Sequence, residues 1–246
     1  MNPDAYTLAA QAEERHWWFC GRRSVLRAIL DHFLSEPSKA RDILEIGCGN
    51  GGNLALLSTY GNLFAVELDD AARKRAVARG LAKVEEGQLP RALPFPGKRF
   101  DIIAALDVLE HVPDDEDSVR ALGERLKPGG LLLLTVPAYQ WLWGHHDEVS
   151  HRVRRYSRTM LQLLLERNGF TVKYCGYFNT LLFPFAVAQI KLAPIIHTDR
   201  FDAIRIPPRL LNRTLQAVFS LERLLVPRFS LPYGLSLIAV AQANQS

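Results

Sequence analysis

The stretch that most constrains this chain is DILEIGCGNGGNLALLSTYGNLFAVELDD, Asp42 to Asp70. Ile43, Leu44 and Ile46 make a short apolar run, followed by Gly47, Gly49, Gly51 and Gly52. Leu54 to Thr59 is of helix length, and Leu63 to Val66 is a second apolar run that ends on Glu67. Strand, glycine turn, helix, strand and acid together make the first βαβ unit of a nucleotide-binding parallel sheet. The glycines leave the backbone of the turn open to a bulky ligand. An acid 20 residues after Gly47 suits a ribose held through its two hydroxyls.

Gly47, Gly49 and Gly52 satisfy the dinucleotide fingerprint G-x-G-x-x-G, but Glu45 extends the turn to E-x-G-x-G-x-G. Further on come FDIIAALDVLEHV (Phe100 to Val112) and KPGGLLLLTVP (Lys127 to Pro137). In this order, from about Asp42 to Pro137, the motifs resemble the class I S-adenosylmethionine-dependent methyltransferases. The resemblance implies a Rossmann-like α/β fold with a seven-stranded, mostly parallel sheet and helices on both faces. It also implies S-adenosyl-L-methionine as donor, contacted by Glu45, Gly47, Cys48, Gly49, Gly51, Asn53, Glu67, Leu68, Gln88, Leu89 and Asp107. Gln88 stands where the family usually has an acid toward the adenine amino group, and its amide oxygen can still accept from that donor.

At 246 residues, 48% hydrophobic and 23% charged, the chain suits one soluble globular domain with an elaboration. Cys20, Cys48 and Cys175 form no CxxC pair and no even framework, which suits a reducing, cytoplasmic setting. The N-terminus lacks the basic and apolar regions of a secretory signal. A net charge of +4 does not by itself call for nucleic acid, and no RNA-binding module is appended.

The chain divides into a helical cap (1–40), a donor-binding core (41–177), an insertion (178–234) and a last strand with its tail (235–246). The cap reads as helical from Asn2 to Ser35, with a break around Phe19 to Gly21, and Val25, Leu26, Ile29, Leu30 and Phe33 form its apolar stripe. HWWFCGRR, His16 to Arg23, is either an aromatic plug against the sheet or a lid that lets His16, Arg22 or Arg23 reach the ligand. Helices are expected at Asp70 to Arg79, Glu116 to Leu126 and Thr159 to Asn168. Strands are expected at Ala82 to Glu85, Phe100 to Leu106, Leu131 to Val136 and Phe170 to Tyr177. Strand seven, Leu235 to Ala241, should insert antiparallel, and it follows 57 residues of insertion that carry the whole chain's positive excess.

Asp107, Glu110 and His111 fall just beyond the fourth strand, at the edge where open α/β sheets bind ligands. Methyl transfer needs an aligned acceptor and a route for its proton, and His111, Glu110 and His151 are the candidate catalytic groups. D-x-x-E-H here is similar to the E-x-x-E-H metal motif of ubiquinone-pathway and small-RNA 3′-end O-methyltransferases, which makes Mg²⁺ on Asp107, Glu110 and His111 the alternative. HHDEVSHRVRRY with HWWFxGRR resembles bacterial methyltransferases that accompany saccharide and lipid-linked glycan enzymes. An O-methyltransferase acting on a small or lipid-linked hydroxyl compound is therefore expected. Arg152 to Arg155 would either clamp an anionic substrate or form surface ion pairs. An NAD-dependent oxidoreductase would use the same glycine turn, but no Tyr-x-x-x-Lys is present. An inactive donor-binding protein is the remaining alternative. In the insertion, Leu211, Leu215, Val218, Leu221 and Leu225 align at helical spacing, with Arg209, Arg213, Gln216, Ser220 and Arg223 on another face. That pattern points to a peripheral membrane contact, a homodimer face or plain core packing.

Overall fold

The computed structural model describes residues 12–34, 40–196 and 206–244. Seven strands lie in the order β3-β2-β1-β4-β5-β7-β6. They are β1 Asp42–Ile46, β2 Asn62–Val66, β3 Lys83–Glu85, β4 Phe100–Leu106, β5 Leu126–Pro137, β6 Phe170–Phe178 and β7 Ser236–Ala243. All neighbours are parallel except β7, which runs antiparallel to both β5 and β6.

The central strands are apolar at nearly every position because both faces of the sheet are covered. Alternate residues go to opposite layers. Leu44, Ile46, Ile103 and Leu132 pack into one core, while Ile43, Ile102, Ala104 and Leu133 pack into the other. Helix α1, Trp17–Phe33, covers the second layer with Val25, Leu26, Ile29 and Leu30, the stripe read from the sequence. On chain order, α2 (Leu54–Leu57) is a single turn and α3 is Asp70–Ala78. They are followed by α4 Asp115–Glu124, α5 His145–Val149, α6 Arg158–Arg167, α7 Phe183–Ile196 and α8 Arg209–Ser220.

Three expectations are corrected. The cap does not break at Phe19 to Gly21. The interruption is at His16, whose backbone is extended (ψ 135°) and whose ring accepts from Trp18 N–H at 3.3 Å as the N-cap of α1. Gly21 lies inside the helix because Phe219 of α8 crowds it, and an added Cβ would sit 2.3 Å from that ring. Strand β5 begins at Leu126 rather than Leu131, since Leu126 pairs with Phe100 before a register shift leaves Lys127 to Gly130, with Gly129 at φ +75°, unpaired on β4, and pairing resumes at Leu131 with Ile102. In the insertion the buried face is also rotated from the expected one. Leu215 and Val218 pack inward, but Leu211 (51% exposed), Leu221 (55%) and Leu225 (41%) do not.

Two polar side chains cause that rotation. Asn212 accepts from Trp17 N–H (2.9 Å) and donates to the Arg15 carbonyl (2.8 Å), sewing α8 to α1. Glu222, in the 3₁₀ turn Leu221–Leu224, accepts from the backbone N–H groups of Asn179, Thr180 and Leu181 at 2.6, 2.6 and 2.8 Å. Each takes up backbone groups that would otherwise be buried without partners. Among the described residues no helix is long and apolar enough to cross a membrane.

Candidate active site

The glycine turn after β1 opens into a cavity of about 400 Å³ at the carboxyl edge of the sheet. Gly47 (φ +65°) and Gly49 (φ +56°) hold left-handed backbone, and at Gly47 a Cβ would also fall 2.8 Å from Val108. A side chain at either position is strained before any ligand is considered. Glu67, at the end of β2, accepts from Gly49 N–H (2.7 Å) and Asp69 N–H (2.9 Å), so the acid is fixed against the turn. Glu45 is buried behind it with Asn53 Nδ2 donating at 2.9 Å, and its second oxygen has no partner. Burial pushes the Glu45 carboxyl up to about 8. Burial, reinforced by Glu45, also keeps the Cys48 thiol protonated, which makes it a packing group rather than a nucleophile.

Across the cavity stands α1. Arg22 reaches over to pair with Asp107, which sits at φ +60° just past β4 and also accepts from Thr135 Oγ1 at 3.0 Å. Trp18 lies against the Arg22 guanidinium, 4.8 Å from its ring centre, while Trp17 turns the other way and meets Phe219 edge-on at 6.1 Å. Both tryptophans line the cavity, Trp17 packed on Phe219 behind it and Trp18 on Arg22. Glu13 lies over the turn, accepting from Asn50 Nδ2 at 2.7 Å, and burial raises its pKa.

The third wall comes from the segment after β5. Asp147 is buried and takes a two-pronged contact from Arg155 (both 2.9 Å), one from Arg152 (3.0 Å) and Gly144 N–H (2.9 Å). Arg154 pairs with Asp115 and the Pro113 carbonyl. Of the basic run expected to clamp an anion, Arg154 and Arg155 are thus committed to holding the loop, and only Arg152 lines the cavity. Glu110 is fully buried, with its two oxygens unpartnered and Arg152 Nε 3.7 Å away, and burial with the nearby Asp107 charge pushes it up to about 8.

Of the donor contacts named from the sequence, Gly47, Cys48, Gly49, Asn53 and Asp107 line the cavity, and so do His16, Arg22 and Arg23 of the cap. Glu45 acts on it through Asn53, and Glu67 through the turn. Leu68 is exposed, Leu89 is buried, and Gln88 pairs its backbone with Ala92. His111 is partly exposed against the backbone of Ser150 and His151, and His151 is exposed on a left-handed turn (φ +55°). The imidazoles at the cavity are His16 and His146, both depressed in pKa by burial and the latter also by Arg152. Glu13 carried no signal in the sequence, because nothing in its neighbourhood places it on a turn 36 residues away. Asp107, Glu110 and His111 do not form one ligand set: Asp107 is taken by Arg22 and Thr135, Glu110 lies under Arg152, and His111 Nε2 stands 3.9 Å from Glu110. Among the described residues no group of three or more His, Cys, Asp or Glu is placed to hold a metal ion. The residues present therefore do not fit Mg²⁺.

An open sheet of this order, with β7 reversed and a glycine turn facing a fixed acid, defines the class I methyltransferase architecture. A methyltransferase-domain profile matches residues 19–174, and the chain belongs to that S-adenosylmethionine-dependent family. A probable S-adenosylmethionine-dependent methyltransferase of Mycolicibacterium smegmatis is 28% identical over 68% of this chain and 64% of its own length. A Mycobacterium tuberculosis protein of the same description is 27% identical over 67% of this chain. The chain thus spans less than two thirds of these relatives, 64% and 60% of their lengths. A ubiquinone biosynthesis O-methyltransferase of Chelativorans is 34% identical over 42% of this chain and 45% of its own. Among solved structures, an S-adenosylmethionine-dependent methyltransferase from Mesorhizobium loti superposes with TM-score 0.57 at 17% identity, covering 87% of this chain and 95% of that one. The cyclase SpnF gives TM-score 0.58 at 18% identity, covering 92% and 81%. Both likenesses show the fold alone.

Proposed function

We propose that this chain transfers the methyl group of S-adenosylmethionine to a hydroxyl of a small or lipid-linked acceptor. The observation that carries the reading is the cavity itself, walled by the donor turn on one side and by Trp18, His146 and Arg152 on the other. Glu67 would hold the ribose. Arg22 and Asp107 present one charge of each sign to the donor's zwitterionic amino-acid end. The donor supplies an already activated methyl carbon, so the protein's task is alignment, exclusion of water and removal of one proton.

His146 is the group we assign to that proton. It lines the cavity, and burial with the neighbouring Arg152 charge holds it neutral and able to accept. His111 lies behind this wall and is the second candidate. Similarity to a ubiquinone-pathway O-methyltransferase supports oxygen as the acceptor atom. The test is incubation of the protein with cell extract and isotopically methyl-labelled donor, followed by untargeted mass spectrometry. A labelled hydroxyl compound is expected with wild type and is lost in Gly49→Val. Label on nitrogen or carbon alone would overturn the oxygen assignment. Binding of NAD in place of S-adenosylhomocysteine would overturn the donor.

A further inference from the structure

The insertion carries a second apolar face that the fold does not use. Helix α8 and the turn after it bury Asn212, Phe219, Glu222 and Val226 against α1 and the sheet. Leu210 on α8 and Leu221, Leu224 and Leu225 in and after the 3₁₀ turn are exposed instead. Leu210 is 81% exposed and Leu224 59%, and Phe229 just beyond is 60% exposed. Elsewhere in the insertion Leu181 is 44% exposed and Phe185, near the start of α7, 75%. Leucines and phenylalanines gathered on one exposed face call for an occupant that removes them from water.

Charge says which occupant. Between residues 206 and 234 the basic groups are Arg209, Arg213, Arg223 and Arg228, all exposed. The one acid in that span, Glu222, is fully buried under its three backbone donors. An outward apolar face bordered by cations and free of exposed anions is repelled by a second copy of itself, which would bring the same arginines together. It is complementary to a bilayer whose headgroups are anionic and whose acyl chains accept leucine and phenylalanine. We infer that the outer face of α8 and its following turn lies on an anionic lipid surface, as an in-plane contact with no span.

Vesicle flotation of the full chain tests this without any methyl acceptor or donor, so the outcome is independent of the proposed activity. With phosphatidylcholine vesicles containing phosphatidylglycerol at low salt the protein should float, and with phosphatidylcholine alone it should not. High salt should weaken the binding by screening. Arg209→Gln with Arg213→Gln should lower partitioning about thirty-fold, from roughly five-fold per basic residue near an anionic surface. Leu210→Glu with Leu224→Glu should abolish it, and because these side chains are exposed the melting temperature should hold. Absence of flotation with anionic vesicles overturns the inference, as does equal flotation with both compositions. A wild-type dimer that Leu224→Glu converts to monomer, with no flotation, would reassign the face to a contact between copies.

Discussion

Glu45→Gln should flatten the pH dependence of stability. The carboxyl is buried, one oxygen is met by Asn53 at 2.9 Å and the other by nothing. Burial pushes it from 4.5 up to about 8. Between those values the folded protein keeps a proton that the unfolded chain has released. Its contribution is therefore fully present below pH 4.5 and lost as pH rises to about 8. At about 1.4 kcal/mol per pH unit, wild type should lose about 3 kcal/mol more than Glu45→Gln between roughly pH 5.5 and 8.5. For a chain of this length that is a change of roughly 6–12 °C in the melting difference between the two proteins. The glutamine keeps an acceptor for Asn53 and loses only the ionisation, and other titrating groups are common to both proteins. Melting followed by circular dichroism across this range, without donor, is the assay. Parallel pH profiles for the two proteins would refute the reasoning, because they would mean the site takes in water and ionises freely.

Gly49→Val should abolish S-adenosylhomocysteine binding in calorimetry, since φ +56° is closed to valine, and Glu67→Ala should weaken it at least ten-fold by removing a charged hydrogen-bond acceptor. His146→Ala should lower kcat at least a hundred-fold with donor Kd unchanged, whereas His111→Ala should change kcat less; the reverse order would return the base to His111. Asp147→Ala should cost about 3–5 kcal/mol in urea unfolding, because it strands Arg155, which is buried on its two-pronged contact. Gly21→Ala should destabilise by about 1–3 kcal/mol despite alanine's better helix propensity, as its Cβ would meet the Phe219 ring at 2.3 Å.

The sheet was legible because its signals are local. An apolar run, a glycine turn and an acid at fixed spacing define β1 to β2, and Phe100 to Leu106 proved to be β4 residue for residue. Hydrophobic period alone also located the apolar face of α1. What could not be read depends on contacts between distant parts of the chain. Gly21 looked like a helix break because glycine weakens helices, and only Phe219, nearly two hundred residues on, shows that it is a close approach instead. The α8 stripe left core packing, a dimer face and a membrane contact open for a related reason. A hydrophobic stripe assigns leucines inward, yet Asn212 and Glu222 go in because each answers backbone donors of another segment. The sequence left Arg152 to Arg155 open between a substrate clamp and ion pairs, because the partners of Arg154 and Arg155, Asp115 and Asp147, are brought to them by the fold.

The two halves of the cavity have different origins in the chain. The donor wall comes from the β1 turn and the ends of β2 and β4, all within residues 19–174, where the family profile matches. The facing wall is α1, itself almost wholly inside that stretch, but α1 is held by α8, which lies outside it. Asn212 bonds both Trp17 N–H and the Arg15 carbonyl, the residues on either side of the His16 cap, so it fixes the angle at which the chain enters α1. Phe219 sits against Trp17 and against Gly21, the residue before Arg22 on the same helix. A shift of α8 therefore moves Trp18 and Arg22 relative to Asp107 without touching the glycine turn. That geometry couples α8 both to Arg22, which the proposed function gives to the donor's amino-acid end, and to Trp18 on the wall facing the turn. It places the setting of that wall on the helix whose outer face is apolar and basic.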